Sequence, residues 1–179
     1  MERCTDPAGL RLAEQGLAVL TSSGTVLIRG FSTGTTAAAA CKAAVLSLSR
    51  SNISSVHVPV HAESGKASCK KYGGDYPSDV TAGVVMIAEA TPVREGIQIQ
   101  PGEGIGRFVR NTPRYRKGEP AISPPSLDSI MRSVQEAMDS TGLSGVQITI
   151  SVPQGTEIAR QTLNSRVGVE GGISILGTT

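Results

Sequence analysis

The run Ala37 to Ala40, continued by Ala43, Ala44 and Val45, is apolar on nearly every side of a helical turn. A helix of that kind has no face to offer water, so it must be buried. It follows the short strand candidate Thr25 to Ile28 and the loop Arg29-Gly30-Phe31-Ser32-Thr33-Gly34-Thr35-Thr36, and it ends near Leu48. Thr33 or Thr35 is the expected N-cap. The rest of the core must be equally small in its parts. In 179 residues, enough for one ordinary domain, aromatic residues are only 3% and Trp is absent, while Gly numbers 21 and Pro 10. The interior is therefore expected to be Ala, Val, Ile and Leu joined by tight turns.

Two further elements stand out by period. Leu127, Ile130, Met131, Val134, Ala137 and Met138 mark one face of a helix over 127–140, with Ser126 as cap and Gly142 as stop. Val146, Ile148, Ile150 and Val152 then alternate with Gln147, Thr149 and Ser151, the signature of a strand with one buried face. Weaker signals give a helix within 8–20, strands at 56–61, 67–72, 83–90 and 97–100, a helical piece near 156–163 and a closing strand at Ile173 to Leu176. Runs of strands with a few segregated helices predict an α+β fold of two layers. Residues 1–29 are read as a helix and strand leading into one domain over 30–179.

Several function classes are set aside on composition. A formal charge of +2 and the scarcity of aromatic rings argue against nucleic acid. No apolar stretch reaches the roughly 18–20 residues of a membrane helix, and the N-terminus lacks the apolar centre of a secretory signal, so a cytoplasmic location is expected. Cys4, Cys41 and Cys69 are odd in number and widely spaced, and are read as reduced thiols. His57 and His61 alternate with valines on 56–61 without an acid or thiol to complete a metal site, so no protein metal is expected.

Four segments carry candidate chemistry. The Ser32 to Thr36 loop sets hydroxyls and N–H groups at a helix start, which serves either plain capping or an anion, and it is similar to the glycine, serine and alanine loop of small-molecule kinases of the galactokinase and homoserine kinase type. In Pro101 to Gly106 the glycines are not spaced as a dinucleotide fingerprint, but Arg107, Arg110, Arg114, Arg116 and Lys117 follow within eleven residues. Such a run is either a solvated face or a site for a polycarboxylate or phosphate. Asp75 and Asp79 on a Gly-Gly turn are candidates for acid/base work or for turn capping. The last is 153–179, which stops at Gly-Thr-Thr where a loop ought to begin.

Together these segments resemble the cobalt-precorrin-5B C-1 methyltransferase family of anaerobic cobalamin biosynthesis. The family's GYTTGTCAAAAAKAA is matched by GFSTGTTAAAACKAA at 30–44, its DAGDDPDVTHG by YGGDYPSDVTAG at 72–83, and its GEGVGRVTKPGL and GEPAINP by GEGIGRFVRNTP at 102–113 and GEPAISP at 118–124. ITISVPQGTEIARQTLNSRVGVEGGISILGTT at 148–179 follows the family pattern for nearly its whole length. Thr36, Tyr72, Tyr76 and Ala82 depart from the pattern, so the resemblance carries no role to those side chains. Family members continue past Gly-Thr-Thr into a second α/β domain, and this chain reads as the first, α+β domain.

The resemblance implies methyl transfer from S-adenosylmethionine to carbon C-1 of a cobalt-containing tetrapyrrole, with the metal part of the substrate. The implied acid/base candidates are Asp75, Asp79 and Glu119. Cofactor contacts fall on Thr33, Gly34, Thr35, Gly102, Gly104, Gly106, Gly171 and Gly172, and the substrate's acid arms on Arg107, Arg110, Arg114 and Arg116. The kinase reading, and a non-catalytic tetrapyrrole-binding fragment, stand as alternatives. Expected partners are a separate C-terminal domain or a second copy of the chain, docking on an apolar surface at Ile173 to Leu176.

Overall fold

The computed structural model describes residues 6–48 and 64–177. Cys4, both histidines and the 56–61 strand expectation lie outside them. Helix α1 (Pro7–Glu14) is capped by Asp6, whose carboxylate accepts the Ala8 N–H at 3.0 Å. It is shorter than the sequence predicts. Gly16 turns the chain with φ 73°, and β1 (Ala18–Leu20) then pairs antiparallel with β2 (Val26–Ile28), so the end of the expected helix is strand. Cross-strand bonding there outweighs a weak helical stripe.

Helix α2 (Thr33–Ser47) is the alanine run; it packs on the sheet and on the later helix through Ala37, Ala38, Ala40, Cys41, Ala44 and Val45, while Thr35 and Ala39 face out, so it is not buried on every side as the sequence predicts. Strands β3 (Gly65–Lys70), β4 (Val85–Pro92), β5 (Gly96–Pro101) and β7 (Gly145–Ser151) form a sheet in the order β3-β4-β7-β5. The β3-β4 and β4-β7 pairs are antiparallel, and β5 runs parallel to β7. A parallel pair needs a crossover. It is supplied by the loop region holding β6 (Arg107–Phe108) and by α3 (Pro124–Thr141). One sheet face buries Met86, Ala88, Ala90, Val146, Ile148 and Ile150 under α2 and α3. The opposite face is lined with residues such as Lys66, Glu89, Gln98 and Thr149, as alternation requires. Methyl side chains on α2 let it approach the sheet and α3 closely and lose no rotamer freedom on burial. The fold is thus α+β, helices layered on a mixed sheet.

Helix α3 begins a turn earlier than expected, because Pro124 and Pro125 occupy its first positions, where a missing N–H costs nothing. Ser123 is its N-cap residue and Gly142 closes it in the left-handed region. Ser126, expected as the cap, is fully buried and donates to the Ile175 carbonyl at 3.1 Å.

After β7 come α4 (Gly155–Ala159), a 3-10 turn at Ser165–Val167, and β8 (Val169–Glu170) paired with β6. Ile173 and Ile175 do not make a continuous strand. They bridge singly to Ile105 and Ile122 and are 1% and 0% exposed. The expected apolar docking surface at Ile173 to Leu176 is therefore not there: its isoleucines complete the core, and only Leu176 faces outward. Among the described residues no helix is long and apolar enough to cross a membrane.

Candidate functional site

The start of α2 is stitched to the end of the chain. Ser32, not Thr33 or Thr35, is the N-cap, and its Oγ accepts the Thr35 N–H at 3.0 Å. The Gly34 N–H donates to the Leu176 carbonyl at 2.8 Å. Thr33 Oγ1 accepts the Leu176 N–H at 2.8 Å and donates to the Ser174 carbonyl at 3.2 Å. A side chain at Gly34 has no room, since a Cβ there would stand 2.5 Å from Ser126 Oγ. The N–H groups a phosphate would use at Gly34 and Thr35 are engaged within the protein.

Beside this seam the aspartate turn forms a second wall. Lys71 follows Lys70 in the chain, so at strand period one ammonium faces out and the other in. Lys70 is exposed; the Lys71 side chain is 3% exposed, and its Nζ lies 2.5 Å from Asp79 Oδ2. Asp79 Oδ1 accepts both the Thr81 N–H at 2.9 Å and the Thr81 hydroxyl at 2.6 Å. Burial pushes the Asp79 carboxyl up, but the bonds from Lys71 and Thr81 and the lysine charge outweigh it and hold the pKa below the ordinary aspartate value. Asp79 is ionised, with both oxygens in use. Asp75 is exposed and tied to β2, accepting the Ile28 N–H at 2.9 Å.

These walls enclose a cleft of about 530 Å³ between the 29–33 loop, the 71–81 turn and the 162–176 segment. A second cleft of about 510 Å³ adjoins it. Leu163, Asn164, Ser174 and Leu176 line both. Leu163, 65% exposed, and Leu176 form the apolar part of that shared wall. Asn164 is braced, donating to the Gly172 carbonyl at 2.9 Å and accepting the Ser174 hydroxyl at 3.0 Å. In the second cleft Phe108 and Tyr115 stack with centroids 4.3 Å apart and planes 10° apart, next to Val167 and Val169.

The four arginines do different things. Arg107 donates to the Gly118 carbonyl at 2.9 Å and Arg110 to the Arg166 carbonyl at 3.1 Å, so both brace loops. Arg114 lines the second cleft, whereas Arg116 lines neither. Glu119 also lies outside both clefts; its backbone carbonyl accepts the Phe108 N–H at 2.9 Å. Gly104, Gly155 and Gly172 meet where three backbone segments cross, and a Cβ on any of them would overlap its neighbour's main chain. Gly104 also has φ 71°. Gly102 and Gly106 are similarly closed in by Ser151 and Val169, so packing requires glycine there, and Gly171 is required by its φ of 81°. Cys41, buried under the sheet, has its thiol pushed by burial to about 12 and is inert as a nucleophile.

Of the residues chosen from sequence, then, the structure gathers Thr33 and Asp79 at the first cleft and Arg114 at the second. Sequence reasoning missed Lys71, Arg29 and Leu163. Only the Lys70-Lys71 doublet carried a usable signal.

A family model described as CbiD matches residues 20–179. The chain belongs to the CbiD family. The CbiD match is supported by curated relatives named cobalt-precorrin-5B C(1)-methyltransferase. That of Methanoregula boonei is 58% identical over 188 residues, covering 100% of this chain and 56% of the relative. That of Methanoculleus marisnigri is 54% identical, covering 98% and 56%. A crystal structure of cobalamin biosynthesis protein (cbiD) from Archaeoglobus fulgidus superposes with a TM-score of 0.70 at 35% identity, covering 98% of this chain and 61% of that one. The chain spans 56% of the length of the two curated CbiD relatives.

Proposed function

We propose that this chain serves the methylation of C-1 of cobalt-precorrin-5B, with S-adenosylmethionine as donor, in anaerobic cobalamin biosynthesis. The observation that carries the reading is that relatives named for this reaction match essentially the whole chain, and two adjoining clefts suit two ligands. Their volumes are of the size of small-molecule sites. The first cleft mixes apolar Leu163, Ile173 and Leu176 with polar Lys71, Tyr76 and Ser78, a lining that fits a charged nucleoside derivative. S-adenosylmethionine supplies, when bound, a methyl group activated by a positively charged sulfur. We assign its contacts to this cleft, with Thr33 the only one of the earlier threonine and glycine candidates that lines it.

The second cleft takes the tetrapyrrole. Phe108, Tyr115, Leu163 and Val167 provide a flat apolar surface for the ring, and Arg114 meets a carboxylate arm. Arg107 and Arg110 act by holding the loop that carries Arg114. The macrocycle is itself electron-rich, so the protein needs no nucleophile; its task is to align two bound molecules across the Leu163 and Leu176 wall. Asp79 is given the role of fixing Lys71 instead of taking a proton, since both of its oxygens are engaged. The kinase alternative needs phosphate donors at Gly34 and Thr35, which are used within the chain.

The reading places the chain in the cytoplasm with a tetrapyrrole as its partner ligand, and gives a further domain or a second copy the part of completing the site. The experiment is transfer of labelled methyl to cobalt-precorrin-5B, with the remainder of a CbiD relative added in trans. Label in the product supports the reading. Folded pieces that bind the tetrapyrrole but never transfer label favour the non-catalytic binding reading.

A further inference from the structure

From the hydrogen-bond inventory of the first cleft we infer that Lys71 is its anchor for a carboxylate group of the ligand. An ammonium has three N–H donors. One reaches Asp79 Oδ2, and the other two have no acceptor among the described residues, on a side chain only 3% exposed that lines the cleft. A buried ammonium with unused donors needs acceptors, and the cleft is where they can arrive. Asp79 cannot compete for that role from the acceptor side. Its Oδ1 is held twice by Thr81 and its Oδ2 by Lys71, so what the pair presents to a ligand is donor capacity.

The surrounding groups point the same way. Arg29 lines the rim and its guanidinium has no partner among the described residues. Two cations against one acid leave a single net positive charge, which matches a monoanionic carboxylate better than a phosphate dianion. Thr33, Thr162, Asn164 and Ser174 bond within the protein, so the lining offers few competing polar sites.

This assignment rests on the methyl-transfer reading for the identity of the ligand. Two carboxylates are then available: that of the amino-acid end of the methyl donor and those on the tetrapyrrole's arms. The test uses the Lys71→Met/Asp79→Asn double variant, which removes both charges together and so avoids stranding either in the interior. In the wild type, acetate should shift the nuclear magnetic resonance signal of the Lys71 ammonium. Affinities are measured for S-adenosylhomocysteine against its decarboxylated form, and for uroporphyrin against its methyl ester. One acid ligand should lose about 10- to 100-fold in the variant, the size of a charge-assisted bond, while its carboxylate-free or esterified form binds both proteins alike. The ligand that loses names the source.

If acetate moves the signal but neither reaction ligand binds the wild type, the anchor stands and the methyl-transfer reading falls. A Lys71 signal unmoved by acetate, or equal affinities of wild type and variant for both acid ligands, overturns the anchor.

Discussion

Two lysine–carboxylate pairs in this molecule share one length and differ in everything else. On the open face of the sheet Lys66 Nζ lies 2.5 Å from Glu89 Oε1, both side chains 51% exposed. In the cleft wall Lys71 Nζ lies 2.5 Å from Asp79 Oδ2, at 3% and 22%. The first pair sits on neighbouring strands where β3 and β4 put opposite charges side by side, and water competes for each end. The second is largely buried, and Thr81 holds the carboxylate in place from the other side. Distance alone does not tell the two pairs apart; burial and the remaining bonding capacity do.

Breaking the buried pair should have the largest effect. Asp79→Asn leaves the Lys71 charge without its partner and should destabilise the protein by about 3–5 kcal/mol, read from urea unfolding midpoints. The acid side of the stability profile sharpens the point. Because the Asp79 pKa is depressed in the folded state, its contribution is present above the unfolded value near ~3.9 and is lost as pH falls through the lower folded value. Wild-type stability should therefore decline through that acid range more steeply than that of Asp79→Asn. A variant whose acid profile parallels the wild type would show that Asp79 is not coupled to the fold in this way.

Smaller effects follow at the cleft mouth and on the sheet. Arg114→Ala should weaken tetrapyrrole binding several-fold in an absorbance titration, and Arg116→Ala, outside both clefts, should leave it unchanged. Glu89→Gln should change stability by only ~0.2–1 kcal/mol, less still at high salt. If Glu89→Gln costs as much as Asp79→Asn, burial is not what separates the two pairs.

The same contrast explains what could be read from sequence. Helix 127–140 and strand 146–152 announce themselves because each buries one face against a single large layer, so period and burial coincide. Ile173 and Ile175 look equally like a strand, yet they are buried by isolated bridges to Ile105 and Ile122, partners far away in the chain. Ser126 looks like a cap and is a core hydroxyl, because two prolines shift the helix start. At the site, the four motif segments are legible as segments. Which side chain within each faces the cleft is not, because that depends on where 162–176 returns against 29–33 and 71–81. Asp79 was visible as an acid, but its engagement by Lys71 and Thr81 was not. Arg110 and Arg114 are alike in sequence, yet Arg110 is held by the Arg166 carbonyl while Arg114 lines the second cleft.

In the proposed function, two clefts meeting at one wall hold the two reactants side by side. Leu163 belongs to that wall and is exposed enough for its replacement to change stability little. The direct measurement is therefore binding of S-adenosylhomocysteine and of a tetrapyrrole polycarboxylate to Leu163→Arg, with the thermal melt as control. Both affinities should drop at least about tenfold while the melt is nearly unchanged. Retention of full affinity for either ligand would contradict it.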